Sequence, residues 1–105
     1  MDTTYPYRPG DHVLLLEDVF GGGRPQRRVI CASTRELNTF KINPNVHGTV
    51  ASWVKREDIV PYTEFAELAL SELADEICAE YRAGKHPSDN NVQRRLDAVI
   101  NYLFD

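Results

Sequence analysis

Near Tyr62 the apolar residues of this 105-residue chain change their spacing, and that change decides what the chain can fold into. Before it, short apolar runs are separated by clusters of Gly, Pro and Asn. After it, apolar residues recur at intervals of three and four, with no Gly or Pro from Thr63 to Ala83. Short runs bounded by turn residues fit strands, and a three-to-four spacing fits the buried stripe of a helix. Strands followed by helices predict an α+β architecture rather than the alternation of a doubly wound sheet.

The front half predicts five short strands. His12 to Glu17 follows the turn Pro9-Gly10-Asp11. The stretch Phe20-Gly21-Gly22-Gly23-Arg24-Pro25 interrupts regular structure, since three successive glycines hold neither a helix nor a strand interior; it is expected to be a mobile hairpin tip. Arg27 to Ser33, Thr39 to Ile42 and Thr49 to Val54 make the next three strands, with a turn at Asn43-Pro44-Asn45 and His47-Gly48. Lys55 to Asp58 reads as one helical turn leading into a short fifth strand at Ile59-Val60.

The back half predicts two helices. With Thr63 as N-cap, Ala66, Ala69, Leu70, Leu73, Ala74, Ile77 and Tyr81 share one stripe, and Gly84 supplies the stop. Pro87 and Ser88 open a second helix with Val92, Leu96, Val99, Ile100 and Leu103 on one face. The short link between them sets the helices antiparallel. Leu68 falls nearly opposite the main stripe of the first helix, with Phe65 beside it, among Glu64, Glu72 and Asp75. A large aliphatic residue in acidic company is either an isolated exposed leucine or one anchor of a second contact.

Charge divides along the same line. Residues 1–60 hold eight basic side chains against seven acidic, a net of +1, whereas 61–105 hold four against nine, a net of −5. The total of −4, with 42% apolar and 27% charged residues, belongs to an ordinary globular chain, and the length suits one small domain rather than a large enzyme. No secretory leader or membrane-length apolar run is visible, so the expected location is cytoplasmic. Cys31 and Cys78 are expected to be reduced and partly buried.

The chain carries few residues in patterns that support catalysis or ligand binding. His12, His47, His86, Cys31 and Cys78 have no metal-ligand spacing, so neither a metal nor another cofactor is expected. No nucleophile elbow is present, and Gly21-Gly22-Gly23-Arg24 lacks the Lys-Ser/Thr of a phosphate-binding loop; no enzyme signature emerges. Arg24, Arg27, Arg28, Lys55 and Arg56 all lie in the front half and are candidates for contacts to a nucleic-acid backbone, with Tyr5, Tyr7 or Trp53 as stacking partners. The weak net charge of that half speaks against a dedicated polyanion binder. Alternation in Thr49 to Val54 puts Val50 and Val54 on one face and Trp53 on the other. Trp53 is then either an outward anchor for a partner or a residue covered by the helix pair. An aromatic cage using Tyr5, Tyr7, Phe20 or Tyr62 has the residue types but no spacing of its own.

Pro9-Gly10-Asp11-His12-Val13 resembles the common opening of a Src-homology-3-like barrel of the KOW or Tudor kind. Trp53-Val54-Lys55-Arg56-Glu57-Asp58-Ile59-Val60-Pro61 is similar to the closing strand, single helical turn and last short strand of such barrels. The resemblance covers about sixty residues and implies a five-stranded barrel over 1–62; the helical spacing of the rest adds an antiparallel hairpin over 63–105, within one domain. Barrels of this kind bind nucleic acids, peptides, methylated side chains or polymerase subunits, so the resemblance does not choose a function.

The reading that follows is a non-catalytic protein-binding module: a small adaptor, regulator or inhibitor of a larger protein partner. Its candidate residues are Glu64, Leu68, Glu72, Asp75 and Glu76 on the first helix, together with Trp53, or else the arginine-bearing loop. The alternatives are a nucleic-acid-binding barrel and an enzyme accessory subunit. Homodimerisation is a further way to cover an unpaired helical face, and no membrane partner is expected.

Overall fold

A computed structural model describes residues 7–34, 39–43 and 52–104, and every statement below concerns those residues. The expected turn at 43–48, the start of the fourth strand at 49–51, and Tyr5 and His47 fall wholly or partly outside them. The fold is α+β. Five antiparallel strands run β1 (His12–Leu15), β2 (Arg27–Thr34), β3 (Thr39–Asn43), β4 (Ser52–Lys55) and β5 (Ile59–Pro61). A one-turn helix α1 (Glu17–Phe20) follows β1, and α2 (Glu64–Arg82) and α3 (Asp89–Phe104) close the chain. A single 3-10 turn, Arg56–Asp58, joins β4 to β5, where the Asp58 carboxylate accepts the backbone N–H of Lys55 at 2.9 Å.

The chain divides into two compact units. The sheet unit takes residues 1–15 and 27–62. Its strand order is β4-β3-β2-β1-β5, an open sheet in which no described ladder joins β4 to β5. At its entrance the Pro9-Gly10-Asp11 turn is fastened on both sides. The Asp11 carboxylate accepts the backbone N–H of Arg8 at 2.9 Å, and Gly10 N–H donates to the Ile30 carbonyl at 2.8 Å. One face carries the core of this unit: Tyr7, Val13, Leu15, Ile30, Phe40, Ile42, Val54 and Ile59. Tyr7 meets Phe40 edge to face, with ring centroids 5.3 Å apart, which is the arrangement favoured by aromatic quadrupoles. Strand alternation sends Leu14, Val29 and Val60 to the opposite face, and these too are buried.

A register shift between Ile30 and Ala32 leaves Cys31 as an unpaired extra residue on β2. That bulge accounts for a departure from the sequence expectation: Cys31 is exposed rather than partly buried, while Cys78 is half-buried, and both thiols are free.

The helical unit takes residues 63–105 together with 16–26, a segment inserted in the chain between β1 and β2. The Thr63 hydroxyl caps α2 by accepting the Ala66 N–H at 2.9 Å. Glu64 and Glu67 in the first turn complement the positive end of the helix dipole. Ala66, Leu70, Leu73, Ala74 and Ile77 form the buried stripe, with Ala69 and Tyr81 half-buried at its margin. Gly84, at φ +80°, takes the left-handed conformation that ends the helix. On α3, Val92 and Leu96 are buried and the Ser88 hydroxyl accepts the Asn91 N–H at 3.2 Å.

The glycine-rich stretch does not behave as the free hairpin tip expected from its composition. Within the helical unit the Phe20 carbonyl accepts the Tyr81 hydroxyl at 3.0 Å. Gly22, at φ +76°, lies so close to α2 that a Cβ there would sit 3.2 Å from the Cys78 Cα. Arg24 then forms a two-pronged bond to Asp75, Nε to Oδ1 at 3.1 Å and Nη2 to Oδ2 at 2.8 Å. Gly22 lets the backbone approach the helix where a side chain would hold it off.

Candidate functional site

On α2 three of the six carboxylates are already engaged by arginines. Asp75 is held by Arg24, and that hydrogen bond lowers its pKa below the ordinary carboxylate value. Arg95 of α3 reaches both Glu80, at 2.7 Å, and Glu76, at 3.5 Å. Its hydrogen bond likewise lowers the Glu80 pKa. These pairs join α3 and the 16–26 segment to opposite flanks of α2, and they leave the ridge between the flanks open.

That ridge carries Leu68, 58% exposed, and Phe65, 59% exposed, one helical turn apart. The Phe65 ring meets Tyr102 of α3 with centroids 6.4 Å apart, and Tyr102 is itself 77% exposed. Three large side chains from two antiparallel helices therefore share one surface that stays more than half exposed among the described residues. Glu64 and Glu72, both exposed, stand four residues before and after Leu68. Glu64 has the helix dipole as its explanation. Glu72 does not: it lies in mid-helix four residues from Glu76, a spacing at which like charges repel.

The sequence-predicted protein-binding residues thus divide. Glu64, Leu68 and Glu72 belong to the open ridge, whereas Asp75 and Glu76 are engaged by arginines. Reasoning from α2 alone does not find Tyr102, since its role depends on α3 lying antiparallel; the i, i+3 and i+4 pattern of α3 gives it no core position. By unit rather than by half, the charge contrast is larger than the sequence division suggests. Residues 16–26 and 63–105 carry five basic against eleven acidic side chains, and the remainder carries seven against five.

The arginine set does not converge. Arg24 belongs to the helical unit and is paired with Asp75. Arg27 and Arg28 are successive strand residues and so lie on opposite faces of β2. The Arg27 guanidinium sits 5.2 Å from the Tyr62 ring centroid, a cation-π contact. Lys55 and Arg56 are exposed. Trp53 is 55% exposed on the face of β4 away from Val54, with Lys55 on the same face and Lys41 opposite it on β3.

The aromatic cage is not assembled as the residue types suggested. Tyr7 lines a cleft with Gly10, Asp11, His12, Pro61 and Tyr62, but its ring is buried against Phe40. That burial is the main cause of its raised pKa. Tyr62 already carries Arg27, and Phe20 belongs to the helical unit. Among the described residues no group of His, Cys, Asp or Glu is placed to hold a metal ion, and no helix is long and apolar enough to cross a membrane. Comparison with family models, with curated proteins and with solved structures found no match.

Proposed function

We propose that this protein is a non-catalytic protein-binding module, an adaptor, regulator or inhibitor that docks on a larger partner through the open ridge of its helical unit. The supporting observation is the shared surface of Phe65, Leu68 and Tyr102, three large apolar side chains left more than half exposed. Covering a side chain of this size is worth about 1.5–3 kcal/mol, so a patch of three supplies the core of a specific interface. The arginine-bearing loop is the weaker face, because Arg24 would first have to leave Asp75. Capture from native lysate with the wild-type chain and with Leu68→Arg tests the reading. The variant is expected to lose a defined partner that the wild type retains; retention of every partner would refute this surface.

A second reading rests on Trp53. An exposed tryptophan with Lys41 and Lys55 on one sheet face has the ingredients of a stacking platform for single-stranded nucleic acid. It expects short oligonucleotides to be retarded at low salt and released by Trp53→Ala or Lys55→Glu. Absence of a shift at low salt removes it.

For the sheet unit we infer the Src-homology-3-like barrel that its opening and closing segments resemble. The strand order supports this by setting β1 between β2 and β5, with a single 3-10 turn before the last strand. Backbone nuclear Overhauser contacts between β4 and β5 test for closure, and a sheet without them is open.

A further inference from the structure

We infer that the occupant of the Phe65–Leu68–Tyr102 surface is a basic amphipathic helix of the partner protein, laid along the outward ridge of α2 beside Tyr102 of α3, with its cations against Glu64 and Glu72. This rests on the protein-binding reading and specifies its chemistry.

Two features of the surface select this class. The apolar anchors come from both members of an antiparallel pair, Phe65 and Leu68 from α2 and Tyr102 from α3. An exposed ridge of side chains on such a pair interdigitates with the side-chain rows of a third helix. Along α2, the carboxylates that flank the patch are eight residues apart, roughly 12 Å of helix rise, or about two turns. A partner helix repeats its own side chains at that spacing, so an apolar stripe with a cation two turns from another cation matches both anchors and charges.

Charge decides the sign. Arg24 and Arg95 pair with Asp75, Glu76 and Glu80 on the flanks, two positive charges against three negative, and among the described residues Glu72 has no arginine or lysine at ion-pair distance. The patch is therefore apolar at its centre and anionic at its rim, on a unit with six more acidic than basic residues. Such a rim repels nucleic acid, an anionic lipid surface and a second copy of itself, and it attracts lysine and arginine.

The test uses the full chain and three synthetic peptides followed by fluorescence anisotropy. One is a leucine-lysine peptide with helical amphipathic spacing, the second replaces each lysine by glutamate, and the third scrambles the first so that the apolar stripe is lost. The amphipathic basic peptide should bind at least about tenfold more tightly than either control. Leu68→Arg and Glu72→Lys should each weaken that binding about tenfold or more, while the far-ultraviolet circular dichroism of both variants stays that of the wild type. Equal binding of the scrambled peptide would reduce the effect to charge alone and overturn the inference. Equal binding of the acidic peptide, or an unchanged affinity for Glu72→Lys, would overturn it as well. So would a dimer of the free chain in sedimentation velocity that Leu68→Arg abolishes, or binding to phosphatidylserine vesicles. If Leu68→Arg loses its lysate partner while no basic peptide binds, the docking face stands and the helical partner class falls. If neither result is obtained, the face itself is wrong.

Discussion

Gly22 supplies a sharp test of how the inserted segment is held on α2. Replacing it by alanine has two separable costs. The first is conformational: at φ +76° an L side chain sits in the left-handed region, which costs about 1–2 kcal/mol, partly offset by about 0.4–1 kcal/mol because alanine restricts the unfolded chain. The second is steric. The new Cβ would lie 3.2 Å from the Cys78 Cα and 3.3 Å from its Cβ and N, and two of these atoms belong to helix backbone that cannot swing aside. Forcing a methyl group into such a contact costs about 1–3 kcal/mol. Gly84 is the internal control, since its φ of +80° is nearly the same and a Cβ there would meet nothing within 4 Å. Gly84→Ala thus reports the conformational cost and Gly22→Ala reports both. In urea titrations followed by circular dichroism, Gly22→Ala should lose about 1–3 kcal/mol more than Gly84→Ala, with the slope unchanged. In thermal melts the same gap is about 4–8 °C per kcal/mol for a chain of this size. Equal losses in the two variants would show that the segment does not pack on α2, and the anchoring of residues 16–26 would have to be abandoned.

Three further outcomes follow from the same contacts. Thr63→Ala removes the acceptor of the Ala66 N–H and should cost about 1 kcal/mol in urea unfolding, with Thr63→Ser restoring most of it. Asp75→Asn should be slightly less stable than wild type at neutral pH, a difference that added salt reduces. Because Arg24 holds the folded-state pKa of Asp75 below its unfolded value, the difference persists above the ordinary carboxylate range and disappears as pH falls through the lowered value. A deficit that grows in acid would contradict the pairing. Phe40→Ala opens a cavity in the sheet core and should cost about 3–5 kcal/mol, whereas Leu68→Arg on the exposed ridge should stay within about 0.5 kcal/mol of wild type.

The elements that the sequence reveals are those whose information is local. Thr63, Gly84 and the stripe from Ala66 to Ile77 specify α2 through capping, a left-handed stop and periodicity, and each of these acts within a few residues. The strands are legible for the same reason, to within two residues at the ends that the structure describes. What could not be read were the long-range pairings. Nothing near Arg24 announces Asp75, fifty-one residues away, and three glycines look like slack until the helix that Gly22 approaches is known. Cys31 departs from the expected partial burial because a bulge is set by the pairing of β2 with β3, and alternation along one strand does not reveal it. At the ridge, Leu68 stood out against its acidic neighbours, while Tyr102 needed the antiparallel helix pair to bring it beside Phe65.

The inserted segment also settles how this chain can be divided. The path enters the helical unit at Leu16, returns to the sheet at Arg27 and leaves it again after Tyr62, so neither unit is one continuous stretch of polypeptide. A cut after Tyr62 separates α2 from residues 16–26, leaving Leu16 and Val19, both buried in the intact chain, attached to the wrong fragment. The helices made alone would lose the arginine that engages Asp75. The front fragment thus keeps the whole sheet unit but carries residues 16–26 without the helix they pack on, and the back fragment lacks that segment, so proteolysis, gene fission or domain transplantation at the obvious boundary divides the helical unit rather than releasing two modules.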